Sequence, residues 1–515
     1  MKGDSRVQKS LLNAKINTVC FFVSIVVSFF SRKIFLDQLG AAFMGLAGTL
    51  NSLLGFLNIA ELGISTAIAF VLFKPLSESD ENKIREIVSV LGYLYKCIGH
   101  FILFAGFLLS LALPWIFADS PFHYSVIYLG YYAYLISALI GYYINYKQVL
   151  LSADQRYYEV TGYFQIVGVI MVLAQMACAI YTGSFYIFFC LQLLGGVFFS
   201  IILNYRIKKV YPWLQTDVRQ GKSLLKQYPA ITKMIKQVFV HRISGFVQFE
   251  LSPFLIYAYV SLPMVAIYSN YSMLTDRLLK LLQGVMDSTT AGVGNLISEG
   301  NTEKVWDIYK QLFSLRLFVA GICCSSFFYV VNGFVNLWLG DIYLLSTTTV
   351  FLMTVSLFLM IARGTTDQFI NGYGLYYDTW APVTEVVIFI LFSVVLGRFY
   401  GLNGILVGPI LSTLAIVHVW KPIFLFRKGL KRPLLQYVRQ LAHDVVLIVV
   451  CYAILSKLMS WMGMGVSTWM EWIGFTIVYV VLYVILLFIL FFVTSRSFRQ
   501  IVHTFHEGSF RSSGL

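Results

Sequence analysis

Long, uninterrupted apolar segments recur along this chain, and no other feature constrains its fold as strongly. Each is about 20 residues long, which is the length that an α-helix needs to cross the hydrocarbon core of a bilayer. Strands of a membrane β-barrel would instead alternate apolar and polar residues. Hydrophobic residues make up 58% of the 515 positions and charged residues 12%, which is unlike a soluble domain. The sequence therefore predicts an all-α polytopic membrane protein.

Polar loops divide the apolar segments into fourteen predicted transmembrane helices. Their ranges are 12–36, 42–73, 87–117, 125–150, 158–182, 185–205, 238–259, 263–297, 306–338, 345–370, 380–396, 402–426, 441–461 and 472–493. We expect an N-lobe of six helices at 1–205, a basic connector at 206–237, a C-lobe of six helices at 238–426, and two further helices with a tail at 427–515.

Lysine and arginine are concentrated in the loops on one side of these helices, whereas the opposite loops hold only Arg398 and Lys457. The positive-inside rule places the basic side, the connector and both termini in the cytoplasm. It also accounts for the net charge of +14 without a nucleic-acid partner. The outer loops are too short for a catalytic domain, so we expect a protein that is not an enzyme.

Nothing in the sequence indicates a cofactor or a bound metal ion. The seven cysteines lie in or near apolar segments and show no CxxC or Cys/His spacing, so free, buried thiols are expected. The phosphate-binding pattern Gly-x-x-x-x-Gly-Lys-Ser/Thr is absent from the sequence. ATP is therefore not expected to drive the protein directly.

An internal repeat of about 220 residues links the two lobes. Residues 77–87 align with 298–308, residues 115–119 resemble 338–341, and residues 157–159 match 376–378. Each repeat holds six helices, and an even number keeps both repeats in the same orientation. The sequence thus predicts two lobes related by a pseudo-two-fold axis along the membrane normal.

The eighth predicted helix, 263–297, carries the densest group of intramembrane charges. Arg277, Lys280, Gly284 and Asp287 are spaced by 3, 4 and 3 residues, so they share one helical face. A charge at bilayer depth costs roughly 2.5–3.5 kcal/mol, so this face should avoid lipid. It lines either a transport cavity or an internal ion-pair network, in which Asp276 and Lys280 would be partners one turn apart.

Further charged residues lie inside predicted helices, and each has two open interpretations. Arg32 lies either in a cavity or at the outer interface, to which it would snorkel. Arg363 and Asp367, one turn apart, either face a cavity or neutralise each other. Glu61 either faces a cavity or caps a bend beside Gly63.

Several short motifs, taken in their order along the chain, point to a known family. Residues 32–40 read R-x-x-F-x-x-x-L-G, and Gly45-Leu46, Glu61-Leu62-Gly63 and the run at 265–271 follow. This pattern resembles the bacterial polysaccharide transporters, the O-antigen and capsule flippases of the multidrug/oligosaccharidyl-lipid/polysaccharide (MOP) superfamily. The resemblance covers nearly the whole chain. One departure is Glu250 in the seventh helix, where that family often has Asp or Asn.

The resemblance implies a fold like that of the multidrug and toxin extrusion (MATE) transporters, located in the bacterial cytoplasmic (inner) membrane. It implies a monomeric flippase that carries undecaprenyl-diphosphate-linked oligosaccharide by alternating access of two lobes around a cationic cavity. A diphosphate needs fixed cations, and sugars need amides. The expected substrate-binding residues are Arg277, Lys280, Arg32, Arg363 and Asn270. The residues expected to couple H⁺ or Na⁺, or to balance charge, are Asp276, Asp287, Glu250, Asp367 and Glu61.

Two other functions remain open from the sequence. A cation-coupled multidrug exporter of the MATE type should present an acidic cavity in its first lobe, whereas the first predicted helix carries Arg32 and Lys33. A membrane polymerase or ligase acting on the same glycans should have a large outer loop with catalytic residues, which this sequence lacks.

Overall fold

A computed structural model describes residues 6–461 and 467–503. The expected cytoplasmic ends of the chain, 1–5 and 504–515, lie outside the described residues. The described part is almost entirely helical and contains no strand. Its helices form two compact units, and the boundary falls between Ala266 and Ile267.

The first unit is built from nine helices in the described residues. They are α1 (Arg6–Leu57), α2 (Ile64–Glu78), α3 (Glu81–Ile116), α4 (Tyr124–Tyr143), α5 (Gln148–Ala153), α6 (Tyr158–Tyr181), α7 (Phe185–Val210), α8 (Gly221–Gln227) and α9 (Pro229–Tyr259). A 3₁₀ turn, Asn58–Glu61, joins α1 to α2. Helix α10 (Leu262–Met286) crosses the boundary between the units.

The second unit continues from α10 through a 3₁₀ turn at Asp287–Thr289. Its further helices are α11 (Thr290–Ser298), α12 (Thr302–Leu339), α13 (Thr347–Ala362), α14 (Gly364–Gly372), α15 (Trp380–Thr413), α16 (Lys421–Leu425), α17 (Leu434–Trp461) and α18 (Trp469–Thr494). Two π-helical segments, Leu414–Trp420 and Phe426–Leu430, flank α16.

Ten helical stretches of the described chain are long and apolar enough to cross a membrane. Two of them, 18–61 and 380–430, each cover all or part of two predicted spans, which are separated at Gly40 and at Gly401, where the backbone is not helical. The two predicted spans missing from the ten are α9 and α10, which are less apolar. All fourteen predicted spans therefore correspond to helices. The fold is that of an all-α membrane protein.

The seventh predicted span, α9, packs closely against α1 in the first unit. A Cβ atom added to Gly55 of α1 would overlap the carboxylate of Glu250 in α9. One added to Gly45 would overlap the backbone carbonyl of Leu262, the first residue of α10. These glycines let α1 approach α9 and the start of α10. The expected division places α9 in the C-lobe, and the lobe boundaries at 205, 237 and 426 remain predictions.

The internal repeat reappears in the backbone of each unit. Residues with positive φ occur at Ser79 and Gly300, at Gln155 and Gly374, and at Gly183 and Gly401, at offsets of 221, 219 and 218 residues. The helices that follow the first pair are capped in the same way: the side chains of Asp80 and Asn301 each accept a hydrogen bond of 3.0 Å from the backbone N–H three residues on. The two units thus share local geometry along with sequence.

Candidate functional site

A polar cluster forms in the first unit where the second predicted span is broken. Glu61 ends the 3₁₀ turn after α1, and the left-handed backbone of Gly63 (φ 93°) starts α2 at a new angle. The Glu61 carboxylate accepts hydrogen bonds from the Ser65 hydroxyl and from the Tyr95 hydroxyl of α3, the latter at 2.7 Å. Beside them, the Tyr142 hydroxyl of α4 donates to the Asn58 side chain at 3.0 Å. We call Asn58, Glu61, Ser65, Tyr95 and Tyr142 the first polar cluster.

A second polar cluster forms at the break after α10. Asp287 begins the 3₁₀ turn and accepts a hydrogen bond of 3.2 Å from the guanidinium of Arg316 in α12. The Gln368 amide of α14 donates to the Met286 carbonyl at 3.0 Å and to the Thr289 hydroxyl at 3.3 Å. The second polar cluster comprises Asp287, Thr289, Arg316 and Gln368. Its cation is buried, since the side chain of Arg316 is only 5% exposed.

The two clusters occupy matching places in the repeat. Each has a carboxylate in the 3₁₀ turn of a broken span and a partner on the long helix that follows. That partner, Tyr95 or Arg316, lies 15 residues after the helix cap, Asp80 or Asn301. A third helix near its own break, α4 or α14, completes each cluster. The main difference is the side chain of the partner: the first unit has the phenol of Tyr95 where the second has the guanidinium of Arg316.

A triad of charges lies elsewhere in the second unit. The Asp367 carboxylate accepts hydrogen bonds from Arg363 at 2.7 Å and from Lys421 at 3.1 Å. The His418 ring lies 3.0 Å from the Leu359 carbonyl in the same region. Arg363 is therefore held by a carboxylate, which favours the charge-neutralising interpretation of its spacing to Asp367.

The charged face expected on α10 is shorter than predicted at its C-terminal end. Arg277 is half-buried and Lys280 is exposed, but the regular helix ends at Met286, so Asp287 belongs to the following turn and bonds to Arg316. The single helix expected over 263–297 is therefore wrong. The sequence has no proline between 264 and 297 that would have marked this break.

The remaining candidates on α10 are Asp276, Lys280 and Asn270. Asp276 and Lys280 make no ion pair with each other or with another described residue. Of the two interpretations of this face, the ion-pair network therefore receives no support from this pair. The Asn270 side chain, in the same helix, is fully buried.

Two candidates lie in the first unit away from the polar cluster. The half-buried Arg32 guanidinium donates to the Ala266 carbonyl at 2.9 Å, so it contacts protein near the start of α10. The half-buried Glu250 carboxylate lies against Gly55 and makes no ion pair with a described residue. The common cavity expected for Arg32, Arg277 and Arg363 remains a prediction.

The sequence analysis missed several residues that complete these sites. Tyr95, Tyr142, Arg316, Gln368 and Lys421 were not among the candidates, because each contributes from a helix distant in sequence. The repeat offset of 221 carried a usable signal, since it pairs Tyr95 with Arg316. Among the described residues, no group of three or more His, Cys, Asp or Glu side chains is placed to hold a metal ion.

No protein-family model matches the sequence, and no curated protein matches it. Among solved structures, the chain is similar to the lipid II flippase MurJ in an inward closed conformation, with a TM-score of 0.64 and 12% identity, over 94% of this chain and 99% of that one. It is also similar to a multidrug resistance MATE family transporter of the MOP superfamily in an inward-facing conformation, with a TM-score of 0.61 and 14% identity, over 82% of this chain and 99% of that one. A third similar structure is the Vibrio cholerae MATE transporter VcmN, with a TM-score of 0.50 and 13% identity, over 82% of this chain and 99% of that one.

These structures share one fold with this protein. At such low identity the similarity establishes the fold alone: an all-α, multi-pass membrane fold of the kind that these transporters have.

Proposed function

We propose that this protein is a flippase for oligosaccharide linked to undecaprenyl diphosphate, which it moves across the bacterial cytoplasmic membrane by alternating access. The observation that carries this proposal is the fold shared with a lipid II flippase over 94% of this chain and 99% of that one. The similarity to the multidrug transporter covers less of the chain, 82%. The order of motifs from residue 32 to residue 271 agrees with a polysaccharide transporter.

The chemistry of α10 supports a negatively charged head group as cargo. Lys280 is exposed, and no described carboxylate forms an ion pair with it. Arg277 lies one turn earlier and is half-buried. A guanidinium can bind a diphosphate through two parallel hydrogen bonds, whereas an ammonium acts as a point charge. Arg363 is already engaged by Asp367, so we assign it to charge balance rather than to the diphosphate.

Replacement of Arg277 tests this proposal in cells that depend on the protein for surface glycan. Arg277→Ala should stop glycan export while the protein still accumulates in the membrane. Arg277→Lys should recover only part of the activity, because a point charge replaces the bidentate group. Arg277→Glu should be worse than alanine, because it repels the diphosphate. Export is measured as surface glycan per amount of membrane protein.

The matched control is Arg398→Ala, which removes the same charge from an exposed position near the Gly401 kink of α15. It should export glycan as the unchanged protein does. Normal export by Arg277→Ala, or equal loss in Arg277→Ala and Arg398→Ala, would contradict the assignment of Arg277 to the diphosphate.

A cation-coupled multidrug exporter is the alternative. Two observations favour it: the similarity to a MATE transporter with a TM-score of 0.61, and the carboxylate of Glu61, which has no cationic partner among the described residues. Dye efflux from cells distinguishes the two functions. An exporter should lower dye accumulation and leave surface glycan unchanged, whereas a flippase should do the reverse.

A further inference from the structure

The basic connector is fastened along α3 in the first unit. The guanidinium of Arg85 donates to the backbone carbonyl of Trp213 at 3.0 Å. The Ser89 hydroxyl accepts a hydrogen bond of 3.0 Å from the backbone N–H of Asp217. A Cβ atom added to Gly221, the first residue of α8, would overlap the Ser89 carbonyl. Helix α8 is therefore held at a fixed place on the first unit.

A cleft of about 550 Å³ opens between α8 and the first turns of α9. We call it the lysine cleft, and it is lined by Leu225, Lys226, Pro229, Thr232, Lys233 and Lys236. Its three lysines are exposed, and none of them forms an ion pair with a described carboxylate. The cleft thus presents three positive charges, and none of its described lining residues is acidic.

The start of α9 adds to the attraction for an anion. This helix of 31 residues begins at Pro229, which lines the cleft. The N-terminus of a helix carries a partial positive charge that favours anions nearby. The helix dipole and the lysine side chains therefore act in the same direction.

The position of the cleft along α9 matches the phosphate layer of a bilayer. The predicted seventh span begins at residue 238, inside the continuous helix Pro229–Tyr259. A helix rises about 1.5 Å per residue, so Lys236 and Lys233 lie about 3 Å and about 8 Å before the start of this span. The polar headgroup region of each leaflet is about 5–8 Å thick. These two lysines therefore lie at the depth of lipid phosphate groups.

We propose that the lysine cleft is a docking site for the diphosphate group of the polyprenyl-linked cargo lipid, which it holds in the cytoplasmic leaflet before transport. The inference rests on the proposed flippase function and adds a phosphate site on the connector to the one at Arg277. Lysine ammonium groups are mobile point charges, which attract a phosphate without fixing its orientation as an arginine does. Three converging charges fit a diphosphate better than the single phosphate of an ordinary phospholipid head group.

Removal of the three charges tests the site. We call the combination of Lys226→Gln, Lys233→Gln and Lys236→Gln the cleft variant. Each single change should weaken binding of the diphosphate lipid about fivefold, equivalent to about 1 kcal/mol, which a basic residue contributes near a charged lipid surface. The cleft variant should therefore bind about a hundredfold more weakly. Replacement of the same three lysines by arginine keeps the charges and should retain binding.

The matched control removes as much charge from the connector outside the cleft. It combines Lys208→Gln, Lys209→Gln and Lys222→Gln, which change three exposed lysines that do not line the cleft. The control variant should bind as tightly as the protein with all its lysines, and all of these variants should unfold at the same temperature.

Native mass spectrometry of the full-length protein, released from neutral detergent micelles, measures the binding of added undecaprenyl diphosphate. The measurement is made in the Arg277→Ala background, which removes the proposed contact in α10, so that the remaining binding reports the lysine cleft. We expect one bound undecaprenyl diphosphate in this background and in its control variant, and its loss in the cleft variant. Phosphatidylglycerol and cardiolipin at equal concentration should not displace it.

Equal affinities of the cleft variant and the control variant would overturn the proposal, as would the absence of binding in the Arg277→Ala background. Displacement by an equal concentration of phosphatidylglycerol or cardiolipin would also overturn it, because the cleft would then be a site for ordinary phospholipids. Failure of the flippase proposal is recognised separately, as unchanged surface glycan in cells that lack the protein.

Discussion

Gly364 provides the space in which the Arg316 guanidinium reaches Asp287. A Cβ atom added at Gly364 would overlap the terminal nitrogen of Arg316. Gly364→Ala should therefore displace the guanidinium and cost about 1–3 kcal/mol of stability, as overpacking of a buried site typically does. Thermal unfolding of the purified protein measures this loss. Gly292→Ala is the control, since a Cβ there meets no atom within 4 Å; equal unfolding temperatures of the two variants would contradict this packing.

The spacing of charged residues along the sequence can predict ion pairs within one helix. It cannot predict partners that come from a different helix. It identified Arg363 and Asp367 one turn apart, and the structure joins them at 2.7 Å. It could not identify Lys421, which lies 54 residues farther along and bonds to the same carboxylate. It also allowed a pair of Asp276 with Lys280, and these two side chains form no ion pair, because spacing permits a contact but does not decide between competing environments.

At the scale of elements, the repeated helix caps give a prediction about pH. Asn301→Ala should lower stability by about 1 kcal/mol, the usual cost of losing an N-cap.

Asp80 makes the same cap, and the backbone N–H of Lys83 holds the pKa of its carboxyl below the ordinary value. The stabilisation by Asp80 is therefore complete above its unfolded pKa and is lost as the pH falls through its folded pKa.

Asp80→Asn should keep the cap and remove this acid-side dependence, so that the first cap behaves as that of Asn301 does. Unfolding temperatures between about pH 3 and pH 6, a range that spans the ordinary carboxyl pKa values, compare the unchanged protein with the variant. The prediction fails if the two lose stability in parallel as the pH is lowered.

The sequence predicted the helices themselves far better than their interruptions. Apolar length located the spans, because burial in a bilayer imposes a nearly fixed helix length. Interruptions depend on single residues: Gly40 and Gly401 adopt backbone angles outside the helical range, whereas many other glycines of the chain stay helical. The break at Asp287 has no glycine or proline of its own, and it coincides with a bond to Arg316 from another helix.

At the scale of the whole molecule, the repeat could be recognised in the sequence because equivalent loops of the two units use the same kinds of turn and cap residues. The match of 77–87 with 298–308 includes the residues with positive φ, Ser79 and Gly300. It also includes the N-cap residues that follow them, Asp80 and Asn301. The relation between the two lobes stays a prediction. The prediction that 12–205 and 238–426 superpose by a rotation near 180° about the membrane normal rests on the even number of spans in each repeat.

The loop charges predict that the connector faces the cytoplasm, and the helix count allows an independent check. Three predicted spans separate Lys222 of the connector from Ile342 between α12 and α13, so these two exposed residues must lie on opposite sides of the membrane. In a variant without the seven native cysteines, Ile342→Cys should react with an impermeant thiol reagent on intact cells. Lys222→Cys should react only after the membrane is opened. Reaction of Lys222→Cys on intact cells would reverse the orientation, and reaction of both would mean that α9 or α10, the two least apolar spans, does not cross the bilayer.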